Sequence, residues 1–239
     1  MTDISLQQLL EAGCHFGHQS RRWNPAMADY IYTTRDKVHI FDLVKTKFGL
    51  DQASKYVAGL PTGSQVLFVG TKRQARDIVT EAAKRVGMPY VSERWLGGTL
   101  TNFDQIDRRI KKLKDLRKQR DSGELKKYTK KEQLLIDKKI AKLERFLGGM
   151  ESMPTKPAAL FIIDTHKENV AVREAVKMGI PIVGMVDTNG DPKQVDYVIP
   201  VNDDALNSVE LIVNAVADAM KGNPTSPKAP RGKKSENKN

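Results

Sequence analysis

Between residues 60 and 205 the apolar side chains fall into two arrangements: short unbroken runs, and longer stretches where they recur every third or fourth position. Residues 65–70, 89–92, 158–164, 181–187 and 197–201 are the runs, and their length and Val/Ile content read as buried strands. Residues 72–86, 168–178 and 203–220 carry helical spacing, the first closed by Gly87 and the second stopped by Gly179. Strands that are apolar on both faces and alternate with helices predict a parallel sheet covered on both sides. Five of them suit a doubly wound, flavodoxin-like, mostly parallel α/β sheet. Upstream, Ile4, Leu6, Leu9 and Leu10 predict a short helix ending at Gly13. Residues 30–34 and 37–41 flank Arg35-Asp36 as an N-terminal β-hairpin, and residues 42–59 form a helix closed by Gly59 and Pro61.

One stretch interrupts the alternation. Phe103, Ile106, Ile110 and Leu113, then Ile136, Ile140, Leu143 and Leu147, step by threes and fours in turn, the narrow seam of a coiled coil. Between the seams Gly123 breaks the helix, Leu125 and Tyr128 are tip anchors, and Thr129 with Glu132 makes a capping box. Two antiparallel helices of roughly 20 residues, about 30 Å long, are expected. The organisation is therefore an α/β body of residues 1–101 and 148–222, a basic coiled-coil hairpin inserted at 102–147, and a disordered basic tail at 223–239 whose Pro, Ser and Lys have little to bury.

Charge sharpens this picture. Of the net +11, the hairpin contributes sixteen Lys and Arg against eight Asp and Glu, and residues 221–239 contribute six against one, which leaves the remainder slightly acidic. Charge segregated onto an arm and a tail points to a polyanionic partner. The single cysteine, Cys14, rules out an intrachain disulfide and fits a reducing cytoplasm. The N-terminal stretch lacks a basic n-region and no apolar run reaches the length of a membrane span, so a cytoplasmic protein is expected.

Candidate chemistry at the strand ends is thin. A phosphate loop fails on spacing, since Gly63 and Gly70 enclose six residues and Thr71 precedes Lys72, and no strand is followed by GxGxxG. Asp164 and His166 read as helix-start residues more than as an acid/base pair, with Thr165 and Glu168 as a capping box and Asp203 as the cap of the last helix. Cys14, His15 and His18 are weak metal candidates, because a structural zinc site needs four ligands and no second cysteine exists. Gln19, Arg21, Arg22, Trp23 and Asn24 combine guanidinium forks, an indole and amides, the tools for phosphate and base-face contact. The alternative is that Trp23 packs on the sheet edge while the arginines face water.

Ordered short motifs then carry a resemblance. Residues 12–19 (AGCHFGHQ), 22–25 (RWNP), 40–43 (IFDL), 69–72 (VGTK), 94–102 (RWLGGTLTN), 187–189 (DTN), and Pro200 with 202–205 (NDDA) run from residue 12 to about 205. In that order, with a helical hairpin in place, the chain resembles the bacterial family of small-subunit ribosomal proteins S-two. Cys14 stands where the family has an aliphatic residue, Gly190 where a Cys is usual and Val201 where a Gly is usual.

The resemblance implies a non-enzymatic protein bound to 16S rRNA and to other small-subunit ribosomal proteins, with a role in docking the mRNA-binding protein S-one. It implies RNA contact by Gln19, Arg21, Arg22, Trp23, Asn24, Lys72, Arg73, Arg94, Thr99 and Asn102, joined by Arg108, Arg109, Lys111, Lys112 and Lys114 of the arm. No cofactor, metal, DNA, membrane or homo-oligomer is expected. The rival reading is an α/β enzyme holding a phosphorylated metabolite at the carboxyl edge of the sheet.

Overall fold

The computed structural model describes residues 4–220, and the expected tail at 223–239 lies outside them. Five parallel strands, β4 (Val66–Val69), β5 (Tyr90–Val91), β6 (Ala159–Ile163), β7 (Ile182–Val186) and β8 (Tyr197–Pro200), pair in the order β5-β4-β6-β7-β8. Every strand but β5 is bonded in its own register to a parallel neighbour over four residue pairs. The chain leaves β4 toward one edge and returns to β6 on the other side, so the topological switch point lies between those two strands.

Side-chain alternation divides the interior into two layers. Val66, Phe68, Phe161, Ile163, Val183 and Met185 face one side. There they meet α2 (Leu43–Ala58), α3 (Arg76–Val86) and α7 (Leu206–Ala219) through residues such as Leu50, Val79 and Ile212. Leu67, Val69, Leu160, Ile162 and Val186 face the other, against α6 (Asn169–Met178) and the root of the arm. The arm is α4 (Phe103–Asp121) and α5 (Lys130–Leu147), standing in the connection from β5 to β6. Phe103, Ile106, Ile110 and Leu147 enter the second layer, so the base of the coiled coil is part of the body's core. Thr129 and Glu132 do form the capping box that starts α5. Leu125 is buried at the tip while Tyr128 is exposed, so only the first acts as an anchor.

Other boundaries moved. The helix expected from residue 72 begins at Arg76, because residues 72–75 turn first and Arg76 Nε donates back to the Thr71 carbonyl. The first helix, α1, is Leu6–Glu11, started by a Ser5–Gln8 capping box. The expected β-hairpin is β2 (Ile31–Arg35) and β3 (Val38–Phe41), turning on Asp36 and Lys37, both at positive φ. A third strand, β1 (Phe16–Gln19), pairs with β3 and turns the hairpin into a three-stranded antiparallel sheet. Sequence patterning does not mark this strand, because Phe16–Gln19 is partly covered at two positions only and shows no apolar alternation.

The β8 edge is closed by α2. Thr46 Oγ1 donates to the Pro200 carbonyl at 2.6 Å, and Gly49 lets the helix backbone lie on β8, since a Cβ there would overlap the Val198 carbonyl oxygen. Gly49→Ala should therefore cost about 2 kcal/mol through overpacking. Urea denaturation followed by far-UV circular dichroism measures it, and an unchanged midpoint would show that α2 can lift off the edge freely.

Candidate nucleic-acid interface

At the carboxyl edge of the sheet, where open α/β folds hold their ligands, the chain fills the crevice with itself. Cys14 to Asn24 lies over the ends of β7 and β8. His18 N donates to Thr188 Oγ1 at 2.8 Å, Asn24 N to the Thr188 carbonyl at 2.7 Å, and Asn202 Nδ2 to the Gly13 carbonyl at 3.0 Å. Gly17 permits the approach, as a Cβ there would press on the Thr188 side chain.

Beneath that cover Lys72 sits among carboxylates: Asp203 at 2.5 Å, Asp204 at 2.6 Å and Asp164 at 3.3 Å. Burial opposes its charge, but the Asp203, Asp204 and Asp164 carboxylates together outweigh this and the ammonium is held well above the ordinary lysine pKa. Burial, then the Asp187 and Asp164 carboxylates, push the Asp203 carboxyl up to about 8. The two partners favour opposite charge states, and the direct contacts decide for a charged Lys72 shared by three acids. His18 Nδ1 lies 2.9 Å from Asp187 Oδ1, and that carboxylate raises its pKa.

Two capping expectations are overturned here. Glu168 does not box with Thr165; it is buried and accepts from Thr71 N at 3.1 Å and Thr71 Oγ1 at 2.5 Å. Asp164, at positive φ, closes the turn instead by accepting from Lys167 N. Asp203 does not cap α7, because its carboxylate is taken by Lys72; the helix starts after Ala205 without a side-chain cap, and Asn202 Oδ1 accepts from Asp204 N and Ala205 N in the turn before it. Both errors have one cause: a distant residue claimed the carboxylate that local spacing assigned to a helix end.

The glycine-rich loop of residues 94–102 is built around Glu174 of α6. One oxygen accepts from Trp95 Nε1 at 3.0 Å and Gly98 N at 2.8 Å, the other from Leu100 N, Thr101 N and Thr101 Oγ1 at 3.0–3.1 Å. Burial would raise the Glu174 pKa, yet the hydrogen bonds led by Trp95 win and lower it. No local signal marks this residue, which reads in sequence as one more charge on a helix.

The expected contact residues divide by access. Gln19, Arg21, Arg22, Arg73, Arg94, Asn102, Arg108, Arg109, Lys111, Lys112 and Lys114 are exposed. Trp23 is half-buried with its ring 4.9 Å from that of His39, and Asn24 caps the turn that follows by accepting from Ala26 N. Thr99 is fully buried and donates to the Leu96 carbonyl, and Lys72 is committed to its acids, so both shape the surface from below. Cys14 is buried in the core, where burial raises its thiol pKa, and it does not gather with His15 and His18. Among the described residues, the group whose metal-ligating atoms lie within 4.8 Å of one another is His18, Asp187 and Asp204. No helix among the described residues is long and apolar enough to cross a membrane.

Residues 9–222 match the profile of the family described as Ribosomal protein S2. The chain is 53% identical over 217 residues to the small ribosomal subunit protein uS2 of Roseiflexus sp. (strain RS-1), an alignment covering 90% of this chain and 83% of that protein.

Two outcomes test the buried charges. Glu174→Gln turns an amide NH2 toward donors and should cost about 2 kcal/mol; in the native protein the stabilisation is complete above the ordinary carboxylate pKa of 4.5 and is lost as pH falls through the depressed folded value. Acid titration of thermal stability in wild type and variant reads this as a difference that narrows below pH 4.5. Lys72→Met leaves buried acids unmatched and should lower stability by about 3 kcal/mol. An RNA-affinity loss at unchanged stability would instead make Lys72 a direct contact.

Proposed function

The chain belongs to the ribosomal protein S2 family, and from that premise we propose that it binds 16S rRNA through the exposed cations of the arm root and the 19–24 segment. It is a structural, non-enzymatic constituent of the small ribosomal subunit. The observation that carries the RNA reading is the pairing state of the arm. Arg117 is matched by Glu144 and Glu151, and Lys111 by Asp107. Arg108, Arg109 and Lys112, all exposed, form no ion pair among the described residues. Free guanidinium and ammonium groups on a rigid two-helix support neutralise phosphates and release counterions.

Domains follow the same division: residues 1–101 and 148–222 carry the body, 102–147 the basic arm and 223–239 a basic tail. Lys111, beside Asp107, and Lys114, which donates to the Glu151 carbonyl, contribute less than their neighbours because their charge is partly engaged. Protein neighbours, including the mRNA-binding protein S-one, take the less basic faces. Exposed Tyr32, Val44 and Phe48 supply apolar area there that an RNA backbone does not need. The enzyme reading loses its site, because segment 13–24 and the Lys72 cluster occupy the strand-end crevice.

Arg108→Glu with Lys112→Glu should weaken rRNA binding by at least tenfold near physiological salt and flatten the plot of log K against log salt by about one per lost phosphate contact. Filter binding across a salt series measures both. Equal affinity and slope in the double variant would show that the arm cations are not at the interface.

A further inference from the structure

At the arm root lies a hollow of about 600 Å³ between the glycine-rich loop and α5. Its floor is apolar, with half-buried Leu96, Leu143 and Phe146. Its rim is cationic, with Arg94, Arg109, Lys139 and Lys142. No Asp or Glu lines it, and none of those four cations forms an ion pair among the described residues. Arg145, one residue from Phe146, is by contrast matched to Glu93 at 2.6 Å. The like charge of Lys112 further lowers the Lys139 pKa, a sign that positive charge is concentrated there without its counterpart.

We propose that this hollow receives a single unpaired RNA nucleotide, its base against Phe146 and Leu143 and its flanking phosphates on the four cations. The proposal rests on the RNA reading above and narrows it. A phosphate or a duplex backbone alone would use the rim and leave an apolar floor wet, and a neutral apolar peptide would leave four cations unmatched. An unstacked nucleotide supplies a flat π face and adjacent anionic groups together. Gly97 lines the same hollow, and a Cβ added there meets nothing within 4 Å, so the entrance is open.

The test compares the full chain's affinity for a labelled single-stranded RNA and for an RNA duplex with the same number of phosphates, by fluorescence anisotropy. Phe146→Ala should weaken single-strand binding about tenfold, within the range for one base–aromatic stack, and leave duplex binding unchanged. Gly97→Leu, which fills open space and keeps every charge, should do the same, and it keeps the test sound if truncating Phe146 disturbs α5. Single-strand affinity unchanged in Gly97→Leu and in a folded Phe146→Ala would overturn the hollow while leaving the arm's RNA reading intact. Displacement of the single strand by an acidic, Phe-containing peptide in preference to unlabelled RNA would overturn it in favour of a protein ligand. A chain that binds neither RNA at low salt would overturn both readings.

Discussion

The Glu174 carboxylate is the interaction on which the geometry of the arm root depends. An ionised carboxylate out of water costs several kcal/mol unless its lone pairs are met. Here five donors meet them, four from residues 98–101 and the fifth the Trp95 indole N–H. The stretch between β5 and α4 has no strand or helix of its own to fix it. Its backbone N–H groups are organised by one side chain from α6, and that fixes where Arg94 and Asn102 emerge and the angle at which α4 leaves the body. Phe103, Ile106 and Ile110 then lock the angle by burial in the same core layer as Leu67, Val69, Leu160 and Ile162 of the sheet. The arm is held by polar bonds just before its first turn and by apolar burial over the turns that follow.

The opposite device governs the strand-end crevice. In this topology the switch point between β4 and β6 is the natural ligand position. The chain supplies its own occupant, a lysine ammonium bonded to three acids from the connections that follow β6 and β8 and roofed by segment 13–24. The cluster ties Gly70–Lys72, Asp164 and the Asn202–Asp204 turn together across the sheet. A fold that elsewhere opens at this point is here closed, and the exposed cations lie on other surfaces.

Local physics made much of this legible. The five apolar runs became the five strands because parallel strands buried on both faces need unbroken apolar sequence. The three-and-four steps gave α4 and α5 their seam, and the Thr129–Glu132 pair lies within one turn, so its capping box needed no distant partner. What escaped was set by distance along the chain. Glu174 meets its donors 73 to 79 residues away, Thr71 takes Glu168 from 97 residues away, and Lys72 takes Asp203 from 131 away. Each of those carboxylates has a plausible local role as helix start or helix surface. Sequence reading assigns them that role because nothing nearby contradicts it.

The same distinction separates the basic residues. Counting charge assigns every Lys and Arg of the arm equal weight, but a cation already facing a carboxylate has less to gain from a phosphate. Arg117, facing Glu144 and Glu151, ties α4 to α5 and to the turn after α5, and so works as a brace. Arg94, Arg109, Lys139 and Lys142, with no acid among the residues that line their hollow, are left unmatched at the arm root. The arm is thus stiffened by its matched cations so that its unmatched ones present a fixed pattern. A fixed pattern of cations can match a fixed spacing of anions at a lower ordering cost than the same charges on a mobile chain.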